Sequence, residues 1–409
     1  MWIRRAIEPR ILKAAATRPA VVLTGARQTG KTALARHLFP DHHYVSLDLP
    51  SEAAQAETDP DSFLSRHPAP LIIDEVQYAP GLFRHLKGAI ERSRARRGMF
   101  ILTGSQPFTL MHGVAESLAG RASVIHIEGL SHAEAMAARP RMPLAQAMLR
   151  GGFPELYARP SIPVADFMRS YVATYLERDL RSQLRVGNLR DFERFLRAAA
   201  LRTAQLLNKA ELARDVSVSP PTANEWLAIL ERGGVATLLE PWFANRGKSL
   251  AKTPKLYMCD TGLAAFLMGI GDPDALRDSP MVGALWETYV CAEIRKAIAA
   301  TDSPQQLHFW RDRTKEADFL LHSGGHFSLA DAKWSEHPGP SDVARLARVA
   351  EEIPAGRVRT AALICRTPNA YSGDAGSPNS TAADQRALQP RVSVIPIRDI
   401  PGTLAMGSS

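Results

Sequence analysis

A glycine-rich stretch near the amino terminus constrains the fold of this chain more than any other feature. The segment VVLTGARQTGKTALARHLF reads as an apolar strand, a tight loop and an amphipathic helix. Glycines let such a loop wrap closely enough for its backbone N–H groups to point at phosphate oxygens, and the helix dipole adds to the attraction. The segment therefore predicts a phosphate-binding loop that consists of Gly25, Ala26, Arg27, Gln28, Thr29, Gly30, Lys31 and Thr32.

Four side chains have the chemistry that hydrolysis of a nucleoside triphosphate needs. Lys31 is expected to reach the β- and γ-phosphates of ATP, and the Thr32 hydroxyl to coordinate Mg²⁺. An acidic pair ends the apolar run PLIIDEVQ. Asp74 is expected to hold Mg²⁺ through water, while Glu75 orients and polarises the attacking water. This pair favours hydrolysis; a nucleotide kinase, which would consume ATP only with a phosphate-accepting substrate, is an alternative.

Polar residues after the next apolar run extend this predicted site. The segment MFILTGSQ places Ser105 and Gln106 just beyond a strand, where a polar side chain could sense the γ-phosphate; an ordinary loop turn is the alternative. Arg121, in SLAGRASVIHIEG, lies between a helix and a strand. Its guanidinium could contact a phosphate in its own or a neighbouring subunit, as arginine fingers do, or it could be a surface arginine.

The order of apolar runs predicts the fold of the first domain, residues 1–150. Short runs rich in β-branched residues alternate with helical segments from residue 20 to about 130: AVVLT, YVSLD, PLIIDE, MFILTG and SVIHIEG. Continuous apolar strands separated by helices are typical of a parallel sheet that is buried on both faces. The first domain is therefore predicted to be an α/β P-loop domain.

Composition limits the compartment and the partners of the chain. Its 409 residues carry a net charge of +8, which is compatible with a nucleic-acid partner and gives mild support to one. Three widely spaced cysteines form no CxxC pair, so neither a disulfide framework nor a zinc site is predicted. No apolar run approaches the length of a membrane span. A cytoplasmic protein without a membrane partner is expected.

A winged helix-turn-helix is predicted at residues 205–260, after a helical connector at residues 151–204. Asn208 is a favourable helix N-cap, and Ser219 precedes a second helix whose first turn contains two prolines. A hairpin follows, and its loop carries basic residues suited to phosphate contact: Arg246, Lys248 and Lys252. The second helix offers little for base reading, so DNA binding and protein packing both remain open.

The last domain, predicted at residues 275–400, contains a second set of carboxylates. GALWETYVCAEIRKAI is an amphipathic helix with Glu287, LHFWRDRTKEADFLL reads as a strand that ends near Asp318, and HFSLADAKW as a strand that ends at Asp331 and Lys333. In a hairpin these strand ends meet, and two carboxylates can hold Mg²⁺ while a lysine positions or deprotonates a water. This arrangement resembles that of PD-(D/E)XK nucleases; a charged hairpin is the alternative.

One segment of the last domain has a different composition. Residues 368–390 are rich in Pro, Gly, Ser and Ala and contain almost no large apolar residues, which predicts a mobile loop. The run RVSVIPI that follows reads as a returning strand.

The motifs taken together resemble a group of bacterial and archaeal ATPases that pair an AAA-type P-loop domain (AAA_14) with a C-terminal DUF4143 domain. The resemblance covers almost the full length of the chain. It rests on GARQTGKT, LIIDEVQ, LTGSQ, LAGR, GGFPE, YLERDL, KLYMCDTGLAAFLMGI, GALWETYV, WRDR, EADFLL and ADAKW.

This resemblance implies an ASCE-type ATPase core, a winged-helix segment and a restriction-endonuclease-like α/β domain. P-loop roles are implied for Gly25, Gly30, Lys31, Thr32, Asp74 and Glu75, and nuclease-like roles for Glu287, Asp318, Asp331 and Lys333, with Asp318 and Asp331 as metal ligands. Asp331 stands where relatives more often have Glu, a permitted exchange. AAA-like sites often lie between subunits, so a homo-oligomer is a further hypothesis.

Two functions are compatible with these observations. The first is a Mg²⁺-dependent ATPase whose cycle controls a half that binds DNA and could also cleave it. The second is a regulator in which ATP gates binding of DNA or protein and the nuclease-like domain is not catalytic. The presence of all four predicted nuclease-like residues favours the first.

Overall fold

The computed structural model describes most of the chain. The described residues are 1–93, 95–105, 117–175, 189–243, 253–353, 356–373 and 391–405. They form two compact units: an amino-terminal unit (Met1–Leu130, Phe153–Ala158 and Ile229–Val235) and a carboxy-terminal unit (Ser131–Gly152, Arg159–Ala228 and Ala236–Ser409).

A five-stranded parallel sheet forms the centre of the amino-terminal unit. The strands are β1 (Ala20–Thr24), β2 (His43–Ser46), β3 (Leu71–Asp74), β4 (Phe100–Gly104) and β5 (Ala122–His126), in the order β2-β3-β4-β1-β5. Every residue of β1, β3 and β4 is buried, which explains why these strands read as continuous apolar runs. The predicted parallel α/β domain is confirmed.

This strand order brings the phosphate-binding loop and the acidic pair together. β1 and β3 both pair with β4, in parallel. The segments that follow these strands therefore emerge at one edge of the sheet, where ligands bind in open α/β folds. Below that edge, the strands pack with residues of three helices, including Ala56, Phe63 and Phe83, in one apolar core. A fully buried phenylalanine side chain contributes roughly 1.5–3 kcal/mol.

One part of the carboxy-terminal unit consists of a small sheet, the helix Lys209–Asp215 and the helix Pro220–Arg232 as far as Ala228. β8 (Lys255–Met258) pairs antiparallel with β6 (Gln205–Leu206) and with β7 (Ala236–Leu239). The Asn208 side chain caps one helix through the backbone N–H of Glu211 (3.1 Å), as expected for an N-cap. The Ser219 hydroxyl likewise accepts from Thr222 N at 3.2 Å. The loop with the predicted wing residues Arg246, Lys248 and Lys252 lies outside the described residues.

A six-stranded mixed sheet forms the other part of that unit. The strands are β9 (Gln306–Arg311), β10 (Glu316–Ser323), β11 (His326–Ala332), β12 (Val358–Cys365), β13 (Tyr371–Ser372) and β14 (Val392–Pro396). Their order is β13-β14-β12-β11-β10-β9. The apolar face of the sheet packs against the helix Pro340–Glu351. On the helix Val282–Thr301, the buried Trp286 ring N–H donates to Ile364 O at 3.2 Å.

The strand pairing confirms the predicted hairpin and corrects one of its strands. β10 and β11 pair antiparallel, and Gly324 and Gly325, both with positive φ, form the turn. The segment expected to be one strand ending near Asp318 is instead two, because the Asp312 carboxylate accepts from Thr314 N and Lys315 N and makes a turn. Asp318 consequently lies near the start of β10.

The predicted loop at residues 368–390 contains one short element. Tyr371 and Ser372 pair with β14, the predicted returning strand, which is present and parallel to β12. Residues 374–390 lie outside the described part of the chain.

Helices account for most of the remaining described residues. Each of them is too short or too polar to cross a bilayer. Their bounds are Glu8–Thr17, Lys31–Leu38, Pro50–Thr58, Pro60–Arg66, Leu82–Arg92, His132–Ala138, Leu144–Arg150, Pro154–Ala158, Val164–Tyr175, Leu189–Ala200, Lys209–Asp215, Pro220–Arg232, Thr261–Leu267, Pro273–Asp278, Val282–Thr301, Pro340–Glu351 and Ile400–Thr403, with short 3-10 helices at Val76–Tyr78 and Ile397–Asp399.

Candidate functional sites

The phosphate-binding loop joins β1 to the helix Lys31–Leu38. Gly25 has a φ of 142°, and a Cβ on it would lie 2.1 Å from Ile127 O, so only glycine fits. Gly30 precedes the helix with a φ of 88°. Gln28 also adopts a positive φ, of 60°. These conformations fold the loop over the amino terminus of the helix, the geometry that presents successive N–H groups to an anion.

Two buried cations lie against the backbone of this loop. Lys31 Nζ donates to Gly25 O at 3.0 Å and to Ala26 O at 2.7 Å. The Arg5 guanidinium donates to Thr29 O at 3.2 Å, and it also binds two carbonyls that follow β5. Arg5 thus connects the loop to the neighbouring chain segment. No local sequence pattern identifies Arg5, because the carbonyls that its guanidinium binds are more than 20 residues away.

The Asp74 carboxylate at the end of β3 is surrounded by hydroxyl groups. Thr32 Oγ1 donates to Asp74 Oδ1 at 2.8 Å, and Tyr44 Oη donates to Asp74 Oδ2 at 3.0 Å. The Thr103 hydroxyl also donates to Asp74. The predicted pair of magnesium-associated residues, Thr32 and Asp74, is therefore in direct contact. Burial and the adjacent Asp74 charge raise the pKa of Tyr44, which keeps its hydroxyl protonated as a donor.

Glu75 follows in a conformation that is uncommon for a residue with a side chain. Its φ is 54° and its ψ is 45°. Ser105 Oγ donates to Glu75 Oε2 at 3.1 Å, and the Gln77 amide donates to the same oxygen. Ser105, predicted to sense the γ-phosphate, is thus a hydrogen-bond partner of Glu75, while Gln106 lies outside the described residues. Strain of this kind is concentrated at functional sites.

Arg121 forms an ion pair within the amino-terminal unit. Arg121 Nη2 lies 2.6 Å from Glu91 Oε1, and Nη1 donates to Ala119 O at 3.2 Å. Both charged side chains are partly exposed. An exposed pair of this type contributes less than about 1 kcal/mol and can exchange for another anion.

A second charged site, here named the Lys255 cluster, lies in the carboxy-terminal unit and consists of Lys255, Tyr257, Glu287, Glu316 and Asp318. The Lys255 ammonium lies 3.0 Å from Glu287 Oε1, 2.7 Å from Glu316 Oε1 and 3.3 Å from Asp318 Oδ1. The Tyr257 hydroxyl donates to Glu287 Oε1 at 2.6 Å. Three carboxylates from one helix and one strand thus converge on a single buried lysine.

The Asp331 carboxylate lies beside this cluster and has its own partners. Asp331 Oδ1 accepts from Asp318 N, and Arg345 Nη2 donates to Asp331 Oδ2, both at 2.9 Å. Asp318 Oδ2 accepts from Ala332 N at 3.0 Å. Lys333 Nζ is 4.0 Å from Asp331 Oδ2. The hairpin therefore brings Asp318, Asp331 and Lys333 together, and Glu287 reaches them through Lys255.

Burial and like charge shift the pKa values at this second site. Burial and Asp318 raise the pKa of Glu287 to about 7, although Lys255 and Tyr257 oppose the shift. Burial and Asp318 raise the pKa of Asp331 to about 6, against Lys333 and Arg345. Burial alone would lower the pKa of Lys255, but its three carboxylate partners raise it well above its usual range. Lys255 is therefore charged at neutral pH.

Comparison with known proteins decides the family. An AAA domain model matches residues 17–136, a domain of unknown function (DUF8612) matches residues 142–274, and a domain of unknown function (DUF4143) matches residues 282–381. Proteins of Mycobacterium tuberculosis and Mycobacterium bovis are each 34% identical over a match of 360 residues, and the match covers 85% of this chain and 77% of the relative. The chain belongs to the AAA–DUF4143 family.

Solved structures resemble the AAA–DUF4143 protein only distantly. The Walker-type ATPase of Pyrococcus abyssi is 17% identical with a TM-score of 0.44, and the match covers 65% of this chain and 96% of that one. A Holliday junction branch migration motor of Thermotoga maritima is 18% identical with a TM-score of 0.30, covering 57% and 85%. Because both scores are below 0.5, the family assignment rests on the sequence matches alone.

In the carboxy-terminal half of this AAA–DUF4143 protein, the sequence did not predict four residues of the charged site: Lys255, Tyr257, Glu316 and Arg345. The sequence contains one indication of them, the alternation of side chains along a strand. Lys255 and Tyr257 are two residues apart on one strand and share a face, and Glu316 and Asp318 do the same on another. Among the residues that the structure describes, no three His, Cys, Asp or Glu side chains are arranged to hold a metal ion. Metal binding by Asp318 and Asp331 stays a prediction.

Proposed function

We propose that this AAA–DUF4143 protein is a Mg²⁺-dependent ATPase whose nucleotide cycle controls a DNA-binding carboxy-terminal half. The observation that carries the ATPase proposal is the direct contact of Thr32 with Asp74, beside a phosphate-binding loop and next to Glu75. A hydroxyl and a carboxylate at one point are the donor set that Mg²⁺ takes in P-loop proteins. Bound there, Mg²⁺ would neutralise charge on the β- and γ-phosphates.

The side chains of the amino-terminal unit supply the remaining steps. The loop N–H groups and Lys31 bind the phosphates, and Lys31 exchanges its two carbonyl partners for phosphate oxygens. Glu75, once released by Ser105 and Gln77, accepts a hydrogen bond from the attacking water and orients it. Arg121 could contribute in its own or a neighbouring subunit by exchanging Glu91 for a phosphate.

Hydrolysis and binding of ATP by the full-length chain test this proposal. Lys31→Ala should lose both nucleotide binding and hydrolysis, whereas Lys13→Ala, at an exposed lysine of the helix Glu8–Thr17, should lose neither. Nucleotide binding would be followed by calorimetry and hydrolysis by phosphate release. Unchanged ATP consumption by Lys31→Ala would contradict the proposal.

DNA binding is proposed from the helix, helix, hairpin order of residues 209–258, which is the order of a winged helix. The net charge of +8 also supports a polyanionic partner. The second helix presents Asn224 and Glu225 to solvent, so affinity should depend little on base sequence and strongly on salt. Fluorescence anisotropy with duplex DNA over a salt series would measure this. The variant with Arg246, Lys248 and Lys252 all changed to Ala should show a smaller salt slope.

The second candidate is a regulator with a nuclease-like but non-catalytic domain, in which ATP gates binding of DNA or protein. Occupation of the acidic site by Lys255 favours it over a DNA-cleaving enzyme. Linear DNA incubated with Mg²⁺ or Mn²⁺ and ATP distinguishes the two. Cleavage by the wild type that Lys333→Ala lacks supports a nuclease, whereas DNA binding without cleavage supports the regulator.

A further inference from the structure

The Lys255 cluster is built from elements that are distant in sequence. Lys255 and Tyr257 come from β8, Glu287 from the helix Val282–Thr301, and Glu316 and Asp318 from β10. The Lys255 side chain is only 5% exposed, and those of Glu287 and Asp318 are 16% and 13% exposed. Burial to this extent means that each charge needs a partner within the protein.

The ammonium group of Lys255 is fully used by these partners. It has three N–H donors and no acceptor, and three carboxylate oxygens from Glu287, Glu316 and Asp318 lie between 2.7 and 3.3 Å from it. The remaining Asp318 oxygen accepts from Ala332 N. A divalent cation at this point would have to displace the ammonium and leave a charged lysine buried without its partners.

The neighbouring carboxylate is neutralised in the same way. Asp331, which is 1% exposed, binds Arg345 at 2.9 Å and has Lys333 at 4.0 Å. Every carboxylate of the predicted nuclease-like site is thus paired with a cation of the chain itself: Glu287 and Asp318 with Lys255, and Asp331 with Arg345.

We propose that Lys255 is a built-in counterion that occupies the cation position of this acidic site and excludes divalent metal from it. A metal-dependent phosphodiesterase would bind a metal ion at such a site, whereas this chain places the ammonium of Lys255 there. This assignment does not depend on ATP hydrolysis, because it concerns the carboxy-terminal unit alone, and the phosphate-binding loop belongs to the amino-terminal unit.

Titration of the full-length chain with Mn²⁺, followed by electron paramagnetic resonance without nucleotide, tests the proposal. The Asp74→Asn background silences the amino-terminal site in every sample. Without a change at Lys255, the chain should show no saturable Mn²⁺ binding. Lys255→Met, which keeps the aliphatic stem and removes the charge, should bind a single Mn²⁺ ion. Lys255→Arg retains the charge and should bind none.

The double variant Lys255→Met with Asp318→Asn is the matched control and should lose the Mn²⁺ that Lys255→Met gains. Mn²⁺ should also raise the thermal midpoint of Lys255→Met, and it should not raise that of the chain with Lys255 intact, of Lys255→Arg or of the double variant. Lys255→Gln keeps an N–H donor and provides a second neutral variant if Lys255→Met does not fold. Saturable binding with Lys255 intact that Asp318→Asn abolishes would overturn the proposal, as would a folded neutral variant that binds no Mn²⁺.

Discussion

The two acidic sites of this chain differ in what surrounds their carboxylates. Asp74 is contacted by neutral hydroxyls, from Thr32, Tyr44 and Thr103. Glu287 and Asp318 are contacted by the ammonium of Lys255. Hydroxyl donors leave the negative charge of Asp74 available to an incoming cation. In contrast, the Lys255 ammonium neutralises the charges of Glu287 and Asp318. Two groups of carboxylates can therefore differ in their capacity to bind metal, according to the charge of the side chains that contact them.

The largest expected effect is on the rate of ATP hydrolysis and concerns Glu75, because this residue is proposed to orient the attacking water. Glu75→Gln replaces the carboxylate that polarises the attacking water with a neutral amide, and hydrolysis of ATP should fall by about 10²–10⁴-fold. Nucleotide affinity should be unchanged, because the phosphates are bound by the loop and Lys31. Steady-state phosphate release and calorimetry measure the two quantities. Glu351→Gln, at an exposed glutamate, is the control and should retain full activity.

The next effect tests the role of charge in stability. Lys255→Met leaves three carboxylates without their counterion and should lower the free energy of unfolding by about 3–5 kcal/mol. Asp74→Asn weakens hydrogen bonds from neutral hydroxyls but leaves no buried charge without its counterion, so it should cost less, about 1.5–3 kcal/mol. Urea unfolding followed by tryptophan fluorescence measures both. Equal losses in the two variants would remove the distinction between the sites.

A pH dependence is expected from the carboxy-terminal site. The pKa of Glu287 is about 7 in the folded chain against 4.5 ordinarily, so between these values the folded state binds more protons than the unfolded state. Stability therefore falls as the pH rises through this window, by on the order of 2 kcal/mol. Unfolding free energies at about pH 5 and about pH 8 measure it. Glu287→Gln should reduce the slope without abolishing it, because the raised pKa of Asp331 acts in the same direction. A steeper slope in that variant would be contrary to expectation.

The smallest effect concerns a single hydroxyl at the amino-terminal site. Tyr44→Phe removes one of the three donors to Asp74 and should lower the free energy of unfolding by about 1 kcal/mol. Thermal unfolding without nucleotide measures it. The matched change Tyr257→Phe removes a donor to Glu287 and should cost more, because Tyr257 is fully buried whereas Tyr44 is 40% exposed. The reverse order would show that the two sites do not differ in the way described.

The amino-terminal site could be predicted from sequence because its signals are local. The phosphate-binding loop is one continuous segment, and apolar runs such as that before Asp74 end at the sheet edge where the loop lies. The hairpin that joins Asp318 to Asp331 was also accessible, since the glycine turn and the two apolar runs are adjacent. Local patterns of this kind fix strand type and register over short distances.

The partners of the carboxylates could not be predicted in the same way. Lys255 meets Glu287 and Asp318 across 32 and 63 residues of chain. Arg5 meets its most distant carbonyl partner across 124 residues. No periodicity records such pairs, because they depend on how separate elements pack. The turn at Asp312 was missed for another reason: a short polar interruption in an apolar run is compatible with one strand or with two.

The number of Mn²⁺ ions bound by the wild-type chain, with and without a non-hydrolysable ATP analogue, tests the central comparison most directly. We expect one bound ion with nucleotide, held at the amino-terminal site that contains Thr32 and Asp74. We expect none without nucleotide, because Lys255 already neutralises the carboxylates of the carboxy-terminal site. Metal that binds without nucleotide and is lost in Asp318→Asn would contradict the account, as would a failure of the nucleotide complex to bind metal at all.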